Sequence, residues 1–353
     1  DGLLIWFPGP FSFTGEDVTE FHVHGGIAVI DGVVRALSAI PGLRPAEAGE
    51  FTRRAFLNDK FDLTAAEGLA DLVAAETEQQ RRQALRQLRG ELGALCASWA
   101  VDLTKALAHL EAAIDFSDED LPEGIAAMAL AMARDIGAAI ERQLADGRRG
   151  ERIRQGFRIA LVGAPNAGKS TLLNRLAGRD AAIVSATAGT TRDVIEVHLD
   201  LAGHAVVIMD TAGLRDDTGG PVDEVETEGM RRTHLNAEAA DMRLAVVDAK
   251  SYPAIDWATG ALLRPDDIVA FNKVDAFPIE AGILARFDHS GGVGVCALSA
   301  ANGDGMEGLE VRIAARLGLS SSTEEAPPLT RERHRLALSE CAEALGRSIK
   351  SFE

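Results

Sequence analysis

Cysteine is scarce in this chain. Its 353 residues hold three, Cys96, Cys296 and Cys341, far apart and with no CxxC spacing. That argues against a disulfide framework or a zinc knuckle and fits a reducing, cytoplasmic compartment. Cys96 falls in an apolar helical pattern, where a thiol reads as core packing. Long apolar runs are missing too: none approaches the ~18 residues of a membrane span. The opening DGLLIWFPGP has no basic stretch and no Met, unlike a secretory signal. Basic charge is also short: 36 Lys+Arg stand against 54 Asp+Glu, a net charge of −18. A chain this acidic does not coat nucleic acid or anionic membrane non-specifically, so an RNA partner needs a local basic patch or a second protein. What is present is ordinary globular material, 46% hydrophobic and 25% charged. At roughly 100–200 residues per domain, the length predicts two or three domains.

Three textures follow one another. LLIWF (3–7) and VTEFHVH (18–24) read as strands, closed by Pro8-Gly9-Pro10 and Gly25-Gly26. IAVIDGVVRALSAI (27–40) has helical spacing, which makes 1–58 a small α+β unit. No proline interrupts 46–121. Leu85, Leu88, Leu92, Leu95, Trp99, Leu103, Leu107, Leu110 and Ile114 predict one long amphipathic helix, preceded by a shorter one over 64–76. Ile125, Met128, Met132, Ile136, Ile140 and Leu144 predict a second, antiparallel helix packed through the same stripe. Arg81, Arg82, Arg86 and Arg89 form a basic helix face, either solvated or an RNA or partner contact. ADGRRGERIRQG (145–156) reads as a charged linker. After it, short β-branched runs alternate with helical segments, the pattern of a parallel, doubly wound sheet. SSSTEEAPP (320–328) reads as another linker, and 329–353 returns to helical spacing.

The strand FRIALVG runs into Gly163-Ala-Pro-Asn-Ala-Gly168-Lys169-Ser170, a GxxxxGK[ST] loop opening a helix. Such a loop turns backbone N–H groups onto phosphates, so Asn166, Ala167, Gly168 and Thr171 line the nucleotide. Lys169 reaches the β- and γ-phosphates, and the Ser170 hydroxyl ligates magnesium. Asp210-Thr211-Ala212-Gly213 closes the strand VVIM, the place of a magnesium-shell Asp and a γ-phosphate-sensing Gly. Asn272-Lys273-Val274-Asp275 closes IVAF. The Asp275 carboxylate can accept from guanine N1–H and the exocyclic amine, a pair adenine lacks. Ser299, Ala300 and Ala301 follow the last strand, where a backbone N–H can meet guanine O6. Between loop and DTAG lies Gly189-Thr190-Thr191, with Thr191 placed to complete the magnesium shell. Leu214 stands where many GTPases hold a water-orienting Gln, so the catalytic group comes from elsewhere, the acidic stretch 222–230 being one source.

GAPNAGKSTLLNRLAG, AAIVSATAGTTRD, DTAGLR, FPGPFSFTGEDVTEFHVHGG, AGEFTRRAFLNDKFDLTAAEGLADLV and LEAAIDFSDED together resemble one family, the tRNA-modification GTPases called MnmE or TrmE. The resemblance implies a Ras-like α/β P-loop GTPase domain inserted in an all-α helical domain, after a partial α+β folate-binding domain. The divisions are 1–58 (N-terminal, folate-binding and dimerising), 59–152 (helical, first part), 153–319 (G domain) and 320–353 (helical, second part). It implies a homodimer that binds a 5-formyl- or methylene-tetrahydrofolate. It implies a heterotetramer with the FAD protein MnmG, adding an aminomethyl or carboxymethylaminomethyl group at the wobble uridine of certain tRNAs. Potassium would take the place of an arginine finger as the G domains pair, held by Asn166, Ser185, Thr187 and Thr190. Glu226 matches the family's catalytic acid in DEVETEG, a few extra residues standing before it. Folate contacts fall on Glu20 and Lys60. The family's opening strands and its C-terminal Cys-Ile-Gly-Lys motif have no match, so the resemblance implies a chain cut at both ends. Two other classes stay open: a ribosome-assembly GTPase, and a GTP-gated dimerisation scaffold without chemistry of its own.

Overall fold

A computed structural model of the chain describes residues 1–116, 124–145, 148–178, 182, 196–210, 235–279, 292–319 and 329–352. They form two compact units, residues 1–74, 84–140 and 342–353, and residues 75–83 and 141–341.

In the first unit, β1 (Leu3–Phe7) pairs antiparallel with β2 (Val18–His22), from Leu3 opposite His22 to Phe7 opposite Val18. Helices α1 (Ile27–Ser38), α2 (Glu50–Leu57) and α3 (Leu63–Val73) follow. The Asp62 carboxylate caps α3 by accepting the Ala65 N–H at 2.8 Å. The single long helix expected from the leucine spacing is two: α4 (Glu78–Leu88) and α5 (Glu91–Asp115). Gly90 separates them at φ 80, donating its N–H to Gln87 O at 2.9 Å. The leucine period runs through the break, so periodicity alone could not reveal it; the glycine takes the left-handed conformation that ends a helix. The second helix of the stripe is α6 (Ile125–Leu144). Leu92, Ile136 and Ile140 are buried, yet Leu107, Ile114 and Met128 are more than half exposed, and Cys96 is exposed rather than core. Among the described residues the stripe is not covered along its whole length.

The second unit is built on a six-stranded sheet in the order β4-β5-β3-β6-β7-β8. Its strands are β3 (Phe157–Val162), β4 (Glu196–Leu201), β5 (His204–Asp210), β6 (Met242–Asp248), β7 (Ile268–Asn272) and β8 (Gly294–Leu298). Among these six strands β4 alone runs antiparallel, against β5. On one face Leu172, Leu173 and Leu176 of α8 (Lys169–Ala177) and Met306, Leu309 and Ile313 of α10 (Met306–Arg316) pack on the strands. On the other face Ala237, Ala240 and Tyr252, with Leu262 of α9 (Trp257–Leu262), cover Val247 and Phe271. Layers on both faces make the sheet doubly wound, so the carboxyl ends of β3, β5, β6, β7 and β8 open on one edge, where such sheets bind ligands.

The charged segment expected as a linker is an organised junction. Within it α7 (Arg149–Gln155) buries Gly150, Glu151 and Ile153. Gln83 Nε2 donates to Gly150 O at 3.1 Å, Gln80 Nε2 to Arg154 O at 3.1 Å, and Arg154 Nε to Thr330 O at 2.9 Å. Arg335, at the start of α11 (Glu332–Phe352), meets Glu151 at 3.2 Å and donates to Leu144 O at 2.7 Å. Glu151 is met by Arg335, Arg152 by Asp241 and Arg154 by a backbone carbonyl, so charged composition alone did not mark a linker. The segment 320–328 lies outside the described residues.

Two glycines separate conformational need from helix weakness. Gly90 requires a positive φ, whereas Gly137 sits inside α6 with open space where a Cβ would stand. Gly90→Ala should destabilise by about 1 kcal/mol, and Gly137→Ala should stabilise by about 0.5–1 kcal/mol, read as opposite shifts in urea midpoint.

Candidate functional site

The site is assembled from loops that leave the strand ends. The backbone after β3 turns at Gly163, φ 142, where a Cβ would collide with Val246 O of β6. Asn166 follows at φ 63, a conformation that Asn tolerates better than most residues. Gly168, φ 99, caps α8, and a Cβ there would strike Asn272 Nδ2. Both glycines therefore serve close approach of backbone to a neighbour, besides any ligand. Lys169 is buried, its ammonium donating to Gly163 O at 2.7 Å and Ala164 O at 3.0 Å. Burial lowers its pKa, while Asp210 and Asp256 oppose that shift. A phosphate arriving at this loop would give the ammonium an anionic partner in place of carbonyls.

Asp210 ends β5 and is buried. Its Oδ2 lies 3.5 Å from Ser170 Oγ. Two cis ligands of magnesium, with bonds of about 2.0–2.1 Å in an octahedron, stand about 3 Å apart. A carboxylate and a hydroxyl at this spacing are hard oxygen donors that fit that ion.

Asn272, the last residue of β7, is the joint of the site. Its Nδ2 donates to Ala167 O at 2.9 Å, and its Oδ1 accepts the Ala300 N–H at 2.9 Å. The phosphate loop and the loop after β8 are thus tied to one buried amide. Lys273, at φ 71, donates from Nζ to Asn166 O at 2.8 Å and to Asp248 Oδ2 at 2.8 Å. The Lys273 ammonium, helped by the Lys250 N–H, holds the Asp248 carboxyl below the usual carboxylate range. Asp275, one residue past the turn at Val274, is exposed at the same edge. Ser299 is fully buried, and its N–H donates to Asp304 O at 2.9 Å. Arg175 of α8 donates from Nε to Ala300 O at 3.0 Å and from Nη2 to Ala301 O.

The structure therefore places Asn166, Ala167, Gly168, Lys169, Ser170, Asp210, Asn272, Lys273, Ser299 and Ala300 at one edge of the sheet, where Asn272 and Lys273 bond to Ala167, Ala300 and Asn166 and Asp210 faces Ser170, with Thr171 in the first turn of α8. Ser185, Thr187, Gly189, Thr190, Thr191, Thr211, Ala212, Gly213 and Glu226 lie outside the described residues. Asp248 and Arg175 were missed: each stands beside a recognised motif rather than in one, and only the fold shows what they touch. In the first unit, Lys60 donates from Nζ to Pro10 O at 2.7 Å and the exposed Glu20 meets His22 Nε2 at 2.9 Å. Among the described residues no hydrogen bond joins Glu20 to Lys60. The basic face is partly neutralised. Arg81 and Arg82 share Glu78, whose pKa falls to about 2 through those two bonds, and Arg86 meets Glu91 at 2.6 Å.

Comparison with known proteins bears on the whole chain. The MnmE helical domain profile matches residues 63–353, and that of the GTP-binding protein TrmE N-terminus matches residues 1–60. The chain belongs to the MnmE/TrmE family. A tRNA modification GTPase MnmE of Paramagnetospirillum magneticum is 51% identical over 347 residues, which is 98% of this chain and 76% of that one. The mitochondrial 5-taurinomethyluridine-(tRNA) synthase subunit GTPB3 of Homo sapiens is 48% identical over 365 residues, 98% of this chain and 72% of that one. A solved structure of Era from Aquifex aeolicus is 26% identical, covering 45% of this chain and 56% of that one at a TM-score of 0.35, too low a score to bear on the fold. The N-terminal, helical and G-domain parts expected of an MnmE/TrmE chain are accordingly present. Among the described residues no helix is long and apolar enough to cross a membrane.

Because the Gly168 Cα faces Asn272, Gly168→Ala must push the phosphate loop off its anchor. Affinity for GTP and GDP, measured by titration with fluorescent analogues, should fall at least about 100-fold, the cost of a strained φ added to a broken buried bond.

Proposed function

We propose that the GTP-hydrolysing unit of this tRNA modification protein works with magnesium and potassium and serves the wobble uridine of tRNA. The observation that supports this reading best is the Asn272 joint, which makes the base-reading and phosphate-holding loops one object. Asp275 would accept two hydrogen bonds from guanine, and a backbone N–H after Ser299 would meet its O6. Backbone N–H groups of Ala167 to Thr171 and the Lys169 ammonium would hold the phosphates, the α8 N-terminus adding favourable field. Ser170 and Asp210, with Thr191 of the segment before β4, would hold magnesium. When bound, the two cations supply positive charge where the transition state gathers negative charge on the phosphate oxygens. Asn166, Ser185, Thr187 and Thr190 would hold potassium, through amide, hydroxyl and carbonyl oxygens. Glu226 would orient the attacking water, since Leu214 cannot.

Pairing with a second G domain would complete the cation site, so turnover should rise with protein concentration. The first unit would carry the folate through Glu20 and Lys60 and form the homodimer. Its Trp6, Phe11 and Ile27 are 63%, 89% and 80% exposed, an apolar surface of the kind a partner covers. The name of the human relative as a synthase subunit implies a partner subunit, which for this chain would be the FAD protein MnmG. The net charge of −18 and the paired arginines of α4 favour tRNA capture shared with that partner.

Steady-state GTP hydrolysis in potassium against sodium tests the reading. Turnover should be faster in potassium, and Asn166→Ala should abolish the difference. Glu226→Ala should slow turnover by about 10²-fold or more with near-normal GTP binding, the range usual for a water-positioning group. Equal rates in the two salts would remove the cation mechanism, and unchanged turnover in Glu226→Ala would remove that residue.

A further inference from the structure

Arg175 lies outside every nucleotide-binding motif, on the helix that begins at Lys169. Its guanidinium turns to the loop after β8 and grips two successive carbonyls, Ala300 O through Nε at 3.0 Å and Ala301 O through Nη2. The two donors come from one rigid plane, so both peptide units are set at once. A trans peptide places its C=O and N–H on opposite sides. Drawing Ala300 O toward α8 therefore turns the Ala301 N–H away from α8. The neighbouring amides are occupied: Ala300 N–H by Asn272 Oδ1 at 2.9 Å, and Asn302 N–H by Ser299 Oγ at 3.3 Å. Among the described residues the Ala301 N–H has no partner, and Ala301 is exposed. The loop thus holds one oriented, unspent donor beside the Asn272-Lys273-Val274-Asp275 turn.

We propose that Arg175 is a positioning residue for guanine recognition, setting the Ser299–Ala301 loop so that its backbone N–H is aimed at the base oxygen O6. The proposal rests on the reading of Asp275 and this loop as the base site. Arg175 sits in the last turn of α8, away from Lys169 and Ser170 at its start, and bonds to loop carbonyls. Its loss should weaken the ground state and the transition state equally, raising KM with little change in kcat. Adenine carries an amine in place of O6, so the same loss should narrow the preference for GTP over ATP.

The test compares the wild-type chain with R175M, which keeps the aliphatic stem and removes both donors, and with R175K, which restores a single ammonium donor. Fluorescent GDP and GTP affinities, KM and kcat in potassium buffer, and nucleotide-free melting temperature are measured for each. R175M should weaken guanine nucleotides about tenfold, raise KM by a similar factor and leave kcat within about twofold, with R175K between it and wild type. The GTP-to-ATP affinity ratio should fall in R175M, and its nucleotide-free melting temperature should match wild type. Unchanged GDP affinity in R175M overturns the proposal. So does a parallel loss of kcat and melting temperature, which would make Arg175 a packing residue. A wild-type chain with no preference for GTP over ATP overturns the base-site reading first and this inference with it.

Discussion

A single buried carboxamide holds the nucleotide edge together. Asn272 donates to the phosphate loop at Ala167 O and accepts from the loop after β8 at Ala300 N–H. Leaving either buried partner unsatisfied would cost about 1–3 kcal/mol, so each loop is anchored through the other. The rest of the edge follows from this joint. Gly168 must lack a Cβ because the amide stands against it. Lys273, the next residue, adopts a positive φ and carries its ammonium back to Asn166 O, with Asp248 fixing the other side of that ammonium. Arg175 closes the ring from α8. A site built this way is preorganised by its own protein contacts, which lowers the ordering that a nucleotide must impose on binding.

Much of this was legible in the sequence because it is carried by short motifs at strand ends. Gly163 to Ser170, Asp210, Asn272 to Asp275 and Ser299-Ala300 each follow a buried apolar run, and a doubly wound sheet brings such ends to one edge. The helical part was legible in period but not in punctuation. The leucine stripe crosses Gly90 without losing phase, and only the φ of 80 shows the break. Composition failed at 145–156, which read as a charged linker, yet its residues 149–155 form a helix that buries Glu151 against Arg335. Partner choice is a tertiary property that charge density cannot foretell. Asp248 and Arg175 were illegible for the same reason, since nothing in their own neighbourhoods says what they face across the fold.

The two units differ in how much of their apolar surface the chain covers. The sheet of the second unit is sealed on both faces, and every residue of β5 is buried. The first unit leaves β1, β2 and α1 with large apolar side chains in contact with water. Each unit is thus closed to a different degree: the sheet unit buries its apolar residues within itself, and the first unit leaves part of its own in water.

Asn272→Asp tests the central claim most directly. The substitution is isosteric and keeps an acceptor for the Ala300 N–H, but it removes the donor to Ala167 O and adds a buried negative charge. GTP affinity, measured by equilibrium titration against wild type at matched magnesium, is predicted to fall about 30-fold or more, from one broken buried bond plus an uncompensated charge. An Asn272→Asp chain that remains folded and binds GTP within twofold of wild type would show that the two loops do not depend on this amide, and would contradict the account.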